Sequence, residues 1–314
     1  MDKPSAKYEI IHNIVSQEDS LQNVRELCSI AGVSRSGYYN WLASEAKRSE
    51  KEARDQADFD LILEAYQYRG YDKGIRGIHM RLLHMQPPVL MNTKKIQRLM
   101  HKYNLKCPVR KANPYRRMAK AMRTDMVADN LLNREFKEHG PRKVLLTDIT
   151  YIPCCGGFFY LSVIKDAYTM QILAHVLSES LELDFVLETV QILLDSHGFS
   201  LDDETMLHSD QGCHYTSKKF RQILSDSGLR QSMSRRGNCW DNAPQESFFG
   251  HMKDEIGAKI SDCTSFEEAK AVVDDWIDYY NNDRGQWELA KLAPNEYYEY
   301  CLTGINPLIQ YDST

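Results

Sequence analysis

Residues 143–152, KVLLTDITYI, are apolar enough to lie inside a sheet, yet they carry an aspartate, Asp148, at their centre. A carboxylate in such a strand costs free energy unless it is paired, bound to a cation or turned to solvent, and strand alternation alone tolerates the last of these. The run also opens a pattern that narrows the fold. A glycine pair turns the chain into FFYLSVIKDA, MQILAHVLSES can pair next, and three hairpin-linked strands result. The helix DFVLETVQILLDSHG follows, then a fourth strand, TMLHSDQG, a helix, SKKFRQILSDSG, with glycine as its stop, and a short strand, LRQSMS. The order β-β-β-α-β-α-β predicts an α/β domain over 136–284, a mixed sheet flanked by helices. Ser265 and Glu268 form an S-x-x-E box for a closing helix with Ala269, Val272, Val273, Trp276, Ile277 and Tyr280 on one face.

The 314 residues exceed one typical domain of roughly 100 to 200. QNVRELCSIAGVSRSGYYNWL, residues 22–42, reads as a helix ending near Gly32 and a second helix that Ser34 can cap, with Leu27, Ile30, Val33, Tyr38 and Leu42 available for a small core. This is a helix-turn-helix pattern, assigned to 1–50, and it would set Arg35, Ser36 and Tyr39 near the start of a recognition helix; a plain αα-hairpin has the same pattern. A second helical unit, 51–112, holds DFDLILEAYQ, a GYDKG turn, IRGIHMRLLHM and, after Pro87 and Pro88, TKKIQRLMHKYNL, where Ile96, Leu99, Met100 and Tyr103 have the spacing of a buried stripe. A basic linker, 113–135, joins it to the α/β domain, and in the tail, 285–314, Pro294 breaks any long helix.

A net charge of −5 argues by itself against nucleic acid as a partner, but the charge is segregated. Residues 81–124 contain no Asp or Glu, and Lys94, Lys95, Arg98, Lys102, Arg110, Lys111, Arg116 and Arg117 belong to that block. An unbalanced basic run continuing into an aperiodic linker predicts contact with DNA phosphates. No apolar run approaches the ~20 residues of a membrane span, so no membrane role and a cytoplasmic location are expected. The eight cysteines have no CxxC or CxxC/HxxxH spacing, which points to neither a zinc site nor a disulfide framework, and they are expected reduced and mostly buried.

Asp148 lies inside the first strand, Asp210 at the end of the fourth, and Glu246 on the helix after the fifth. Neighbouring strands could bring the two aspartates together and a flanking helix could add the glutamate. Three such carboxylates raise one another's pKa unless cations neutralise them, and hard oxygen donors suit Mg²⁺ or Mn²⁺. Two ions roughly 3.5 to 4 Å apart serve phosphodiester chemistry, so phosphoryl transfer is the expected reaction class.

The segments T-D-I-T-Y around Asp148, H-S-D-Q-G-x-x-Y-T-S around Asp210 and S-x-S-R-x-G-N-x-x-D-N-A-P-x-E-S-F-F around Glu246, with 35 residues between the last two acids, resemble the DDE transposases of bacterial insertion sequences. More closely, they resemble the second-frame (orfB) product of the insertion-sequence-three family, over roughly 20–300. The resemblance implies an RNase H-like, retroviral-integrase-type core, two Mg²⁺ ions (Mn²⁺ able to substitute) held by Asp148, Asp210 and Glu246, and cleavage of transposon ends followed by strand transfer. It also implies DNA ends and target DNA as partners, assembly as a homo-oligomer on DNA, and an upstream-frame protein joined by frameshifting. The sequence departs from the pattern at Leu145, where the family often has Trp.

Lys253 lies seven positions after Glu246, nearly two helical turns, and shares its face with Gly250 and Gly257 while Phe248, Met252 and Ile256 turn to the core. That face is expected to meet DNA. His208, Ser209, Gln211 and Asn242 are candidates for positioning the metal ligands or substrate, with structural hydrogen bonding as the alternative. Asp254 and Glu255 are expected to be solvated, and Asp166 to be a turn residue. A plain nuclease of the same fold and a DNA-binding regulator are the competing readings.

Overall fold

A computed structural model describes residues 4–16, 23–108, 139–233 and 243–308. The chain divides into two compact units, Met1–Leu61 and Ile62–Thr314.

In the first unit, α1 (Pro4–Val15), α2 (Val24–Ala31) and α3 (Arg35–Ala43) precede a long helix, α4 (Glu45–Gln67), in which the division between the units falls. The turn between α2 and α3 forms as its residues require. Gly32 closes α2 in the left-handed conformation at φ 64°, and the Ser34 side chain caps α3 by accepting from the Gly37 amide. Ile11, Leu27, Cys28 and Tyr38 are the buried centre of this unit, with Tyr8 and Trp41 packed against them. Ile30, expected in this core, is 83% exposed. The helix α1, which the periodicity of 22–42 did not include, supplies Ile11 to this core instead.

The second unit begins with the end of α4, then α5 (Ile75–Leu83) and α6 (Thr93–Lys102), the latter burying Ile96, Leu99 and Met100 as its spacing predicts. The five strands are β1 (Val144–Cys154), β2 (Gly157–Asp166), β3 (Ile172–Ser178), β4 (Met206–Ser209) and β5 (Arg230–Met233), in the order β3-β2-β1-β4-β5. β1 to β3 are antiparallel neighbours, while β4 joins β1 and β5 joins β4 in parallel. Between β1 and β2 a two-residue turn places Cys155 and Gly156 at φ 51° and 75°, the positive φ pair that a tight hairpin needs. The mixed sheet flanked by helices is the RNase H-like architecture expected.

Two apolar layers cover the sheet. On one face lie α7 (Asp184–His197), the short α8 (Cys213–Thr216) and α9 (Lys218–Asp226), which bury Phe185, Val186, Val190, Leu193, Tyr215, Phe220 and Leu224 against Leu145, Ile164 and Leu207. Leu145 is fully buried there, so its difference from the usual Trp is absorbed by packing. On the other face α10 (Ala243–Ser261) and α11 (Phe266–Asn282) close over Ile152, Leu161 and Val163. The Ser265 cap on α11 accepts from the Glu268 amide at 3.2 Å, and the Glu268 carboxylate reaches back to the Thr264 amide at 2.7 Å. In the tail no helix runs through Pro294, as expected; it begins α12 (Pro294–Thr303), because proline at the first helical position lacks only an amide that has no partner there. Seven described cysteines are free, but only Cys28 and Cys154 are buried, while Cys155 and Cys213 are exposed.

Polar contacts join distant parts of this unit. Arg69 pairs with Asp275, Asp278 and Asp283 at 2.7–2.9 Å, the Tyr71 hydroxyl donates to Asp275 at 2.5 Å, and the Tyr71 ring stacks on Tyr279 with centroids 4.5 Å apart. Asp166 does end β2 at a turn, but it is wholly buried: it accepts from the Arg142 guanidinium and amide, both at 3.1 Å, and from the Tyr168 amide at 2.9 Å. Breaking a buried ion pair by removing one partner costs about 3 to 5 kcal/mol, so Asp166→Ala is expected to lower unfolding free energy by about that much in urea titrations. A change under about 1 kcal/mol would refute the assignment.

His84 and Glu296 lie 3.0 Å apart. Burial works against the His84 charge, but the hydrogen bonds it donates to Glu296 and the Met80 carbonyl prevail and its pKa is raised above 6.5, while Glu296 is lowered from 4.5. The His84 contribution is therefore complete below about pH 6.5 and lost as pH rises through the raised value, and that of Glu296 fades as pH falls below about 4.5. His84→Gln is expected to lower the melting temperature more at about pH 5.5 than at about pH 8.5.

Candidate active site

β1 and β4 run in parallel with Leu146 opposite His208. Side chains alternate along both strands, so two residues further on Asp148 and Asp210 emerge on the same face, just beyond the end of the ladder. The third acid comes from the first turn of α10, which crosses that face. Phe248, Phe249, Met252, Ile256 and Ile260 are buried beneath α10, and this fixes its rotation so that Glu246 stays exposed at the margin of the packed stripe.

The electrostatics record the convergence. Asp148 is largely withdrawn from water; burial, together with the negative charges of Asp210 and Glu246, pushes its carboxyl up to about 7 against the hydrogen bond from the Ile149 amide and the charge of Lys253. Its Oδ1 accepts from Ile149 N at 2.8 Å, and Asp210 Oδ1 accepts from Gly212 N at 2.8 Å. Each aspartate is thus anchored by its own backbone. Lys253, exposed on α10, has its pKa lowered by partial burial and held up by Asp148. Among the described residues no three His, Cys, Asp or Glu side chains are gathered tightly enough to enclose an ion as they stand. The acids form an open group of mutually repelling charges, of the donor type that suits a hard divalent cation.

The other expected site residues separate into several environments. His208 Nδ1 lies 2.9 Å from Ser232 Oγ and Ser209 Oγ donates to the Asp210 carbonyl at 2.9 Å; both residues are buried, and these bonds tie β4 to β5 and shape the loop carrying Asp210. Gln211 is exposed beside Asp210. On α6, Lys94, Arg98 and Lys102 recur every four residues and are exposed, with Lys95 half-buried beside them. In the first unit Arg35, Ser36 and Tyr39 are exposed on α3. Asn242, Arg110, Lys111, Arg116 and Arg117 lie outside the described residues.

Glu255 corrects the expectation of a solvated acid. It accepts from Arg284 at 2.7 and 3.1 Å and from the Trp276 indole at 3.0 Å, because nine residues of helix turn it ~180° from Glu246, to the opposite margin of the buried stripe. Two neighbours escaped the sequence reading. Lys165 is buried in β2 with its pKa lowered to about 7 by burial, its Nζ 5.4 Å from the centroid of the Phe248 ring. Gly212 leaves room for the Asp210 carboxylate: a Cβ there would lie 2.9 Å from Asp210 Oδ1. Only a strand register, absent from the linear sequence, could have revealed the first.

Comparison with known proteins fits this geometry. Residues 138–239 and 246–302 match two models of an integrase core domain, and residues 53–113 match a helix-turn-helix-like domain. A 31 kDa protein of insertion element IS600 from Shigella sonnei is 32% identical over 277 residues, 87% of this chain and 97% of the relative. The chain belongs to the integrase-core transposases of bacterial insertion sequences. It is 35% identical to a transposase-like protein of Haemophilus influenzae over 217 residues, 68% of this chain and 95% of that one. With the transposase InsF of insertion sequence IS3A from Escherichia coli K12 it shares 26% identity over 278 residues, 88% and 93% of the two chains. The catalytic core domain of BIV integrase superimposes with a TM-score of 0.42 at 16% identity, covering 52% of this chain and 97% of that one. This transposase is accordingly a polynucleotidyl transferase acting on DNA.

Gly212→Ala is expected to fold normally, since Gly212 has φ −59°, but to push the Asp210 carboxylate aside. A displacement of ~1 Å can cost on the order of 100-fold in rate. Transposition frequency should fall accordingly at an unchanged melting temperature, and wild-type frequency would overturn the assignment of Asp210 to the active centre.

Proposed function

We propose that this transposase cleaves the ends of its element and joins the freed 3′-hydroxyl to a second phosphodiester, with Asp148, Asp210 and Glu246 as the ligands of two Mg²⁺ ions, for which Mn²⁺ can substitute. The observation that carries this reading is the parallel register of β1 and β4, Leu146 opposite His208, which sets Asp148 and Asp210 on the sheet face crossed by the helix whose first turn holds Glu246. The donor set fits: three carboxylates from β1, the end of β4 and α10, with oxygens only. Bound there, the two ions would activate the attacking oxygen and stabilise the leaving one.

The chain's own groups do the rest. The backbone amides of Ile149 and Gly212 orient the two aspartates. Lys253, on the face of α10 that Glu246 occupies, offers a cation to a phosphate of the bound strand without adding to the carboxylate charge. The exposed basic row Lys94, Arg98 and Lys102 on α6 is assigned to the DNA backbone, together with Arg110, Lys111, Arg116 and Arg117, and Arg35, Ser36 and Tyr39 on α3 to the element's ends. Pairing two ends calls for a homo-oligomer on DNA, and an upstream-frame protein joined by frameshifting is a further partner. No described helix is long and apolar enough to cross a membrane. The reaction places the protein with the cell's DNA, in the cytoplasm.

The test uses labelled element ends with the purified chain, alone and with its upstream-frame partner. Asp210→Ala is expected to retain end binding and to lose cleavage and joining by more than the roughly 10- to 100-fold typical of removing a metal's outer-shell partner. Chelation should stop both steps, and Mn²⁺ should restore them. Cleavage that survives chelation or the substitution would sink the proposal. A plain nuclease would cleave and yield no joined product.

A further inference from the structure

The tip of the β1–β2 hairpin carries a cluster of thiols that takes no part in the carboxylate site. Cys154 ends β1, Cys155 begins the turn, and their sulfurs lie 3.4 Å apart. Both reach towards the C-terminal end of α10. Cys154 donates to the Ile260 carbonyl and Cys155 to the Cys263 carbonyl, each at 3.5 Å, while Cys263 itself donates to the Lys259 carbonyl at 3.2 Å. The last turn of a helix leaves carbonyls without partners inside the helix, and S–H groups, though weak donors, are what the hairpin offers them. The thiols differ in access. Cys154 is 6% exposed, Cys155 is exposed and Cys263 is half-buried. Burial above all pushes the Cys154 thiol up to about 11, so Cys155 is the thiol of the pair that a solute meets first.

We propose that Cys154 and Cys155 are an oxidative modification site, closing to a disulfide between neighbours when the protein meets a peroxide. Hydrogen peroxide oxidises the Cys155 thiol to a sulfenic acid and is reduced to water. The Cys154 sulfur then attacks the Cys155 sulfur, the S–S bond forms, and the sulfenic hydroxyl leaves with the Cys154 proton as a second water. Both S–H donors are consumed, so the Ile260 and Cys263 carbonyls lose them and the hairpin releases the end of α10. Neighbouring Cα atoms stand about 3.8 Å apart, short of the roughly 4.4 to 6.8 Å usual for a disulfide, so the bond is strained and a dithiol reductant reopens it.

The test treats the full chain with hydrogen peroxide and follows it by peptide mass spectrometry and amide hydrogen exchange. The peptide holding Cys154 and Cys155 is expected to lose two hydrogens and to resist alkylation until dithiothreitol is added. Exchange at residues 259–263 should quicken on closure. Cys155→Ser, at an exposed position, should abolish both changes, and Cys263→Ser should leave the closure as in the wild type. In Cys154→Ser, with its fold checked by its melting temperature, oxidation should stop at a sulfenic acid that dimedone traps on Cys155. A pair that stays reduced under peroxide, a disulfide from Cys155 to Cys263, or closure without faster exchange at the helix end would each overturn the proposal.

Discussion

Each of the three carboxylates is located by reference to β1, the strand hydrogen-bonded to β2 on one side and to β4 on the other. Its antiparallel partner sets Asp148 opposite Val163, in an apolar layer, and its parallel partner brings the end of β4 alongside. A one-residue slip in the β1–β4 register would send Asp210 to the face covered by α7 and α9. The site therefore depends on the same ladder that holds the sheet together, and buried Leu145, Leu146 and Leu207 make any other register expensive.

The helix α10 shows how packing assigns roles to residues of equal charge. Five buried apolar side chains, each worth about 1.5 to 3 kcal/mol when fully buried, outweigh any preference of a single carboxylate for one direction. The stripe they form has two margins. Glu246 and Lys253 lie at one, beside Asp148; Glu255 lies at the other, clasped by Arg284 and Trp276. Chemistry and structure thus divide one 19-residue helix according to angle alone.

Much of this was legible in advance. The apolar runs, the Gly32 stop, the Ser34 and Ser265 caps and the alternating order of strands and helices are local matters, decided within a turn or a hairpin by backbone sterics and hydrogen bonding. The motifs around Asp148, Asp210 and Glu246 pointed to residues that the sheet then brought together. What was misjudged, or not seen, was long-range in every case. Ile30 was assigned to a core that α1 completes without it, Asp166 receives Arg142 from 24 positions away, and Glu255 receives Arg284 from 29.

The sequence by itself determined the element order, the identity of the acids and the family, because these depend on side-chain type and on spacing along the chain. Only the tertiary structure decided which acids share an electric field and which are neutralised in ion pairs. It also decided that Lys165 is buried in β2 near the Phe248 ring, without a signal in its neighbours' spacing. The reason is physical: burial and Coulomb energy vary with distance through space, and the register of two parallel strands, set by the packing of all five, converts separation in sequence into that distance.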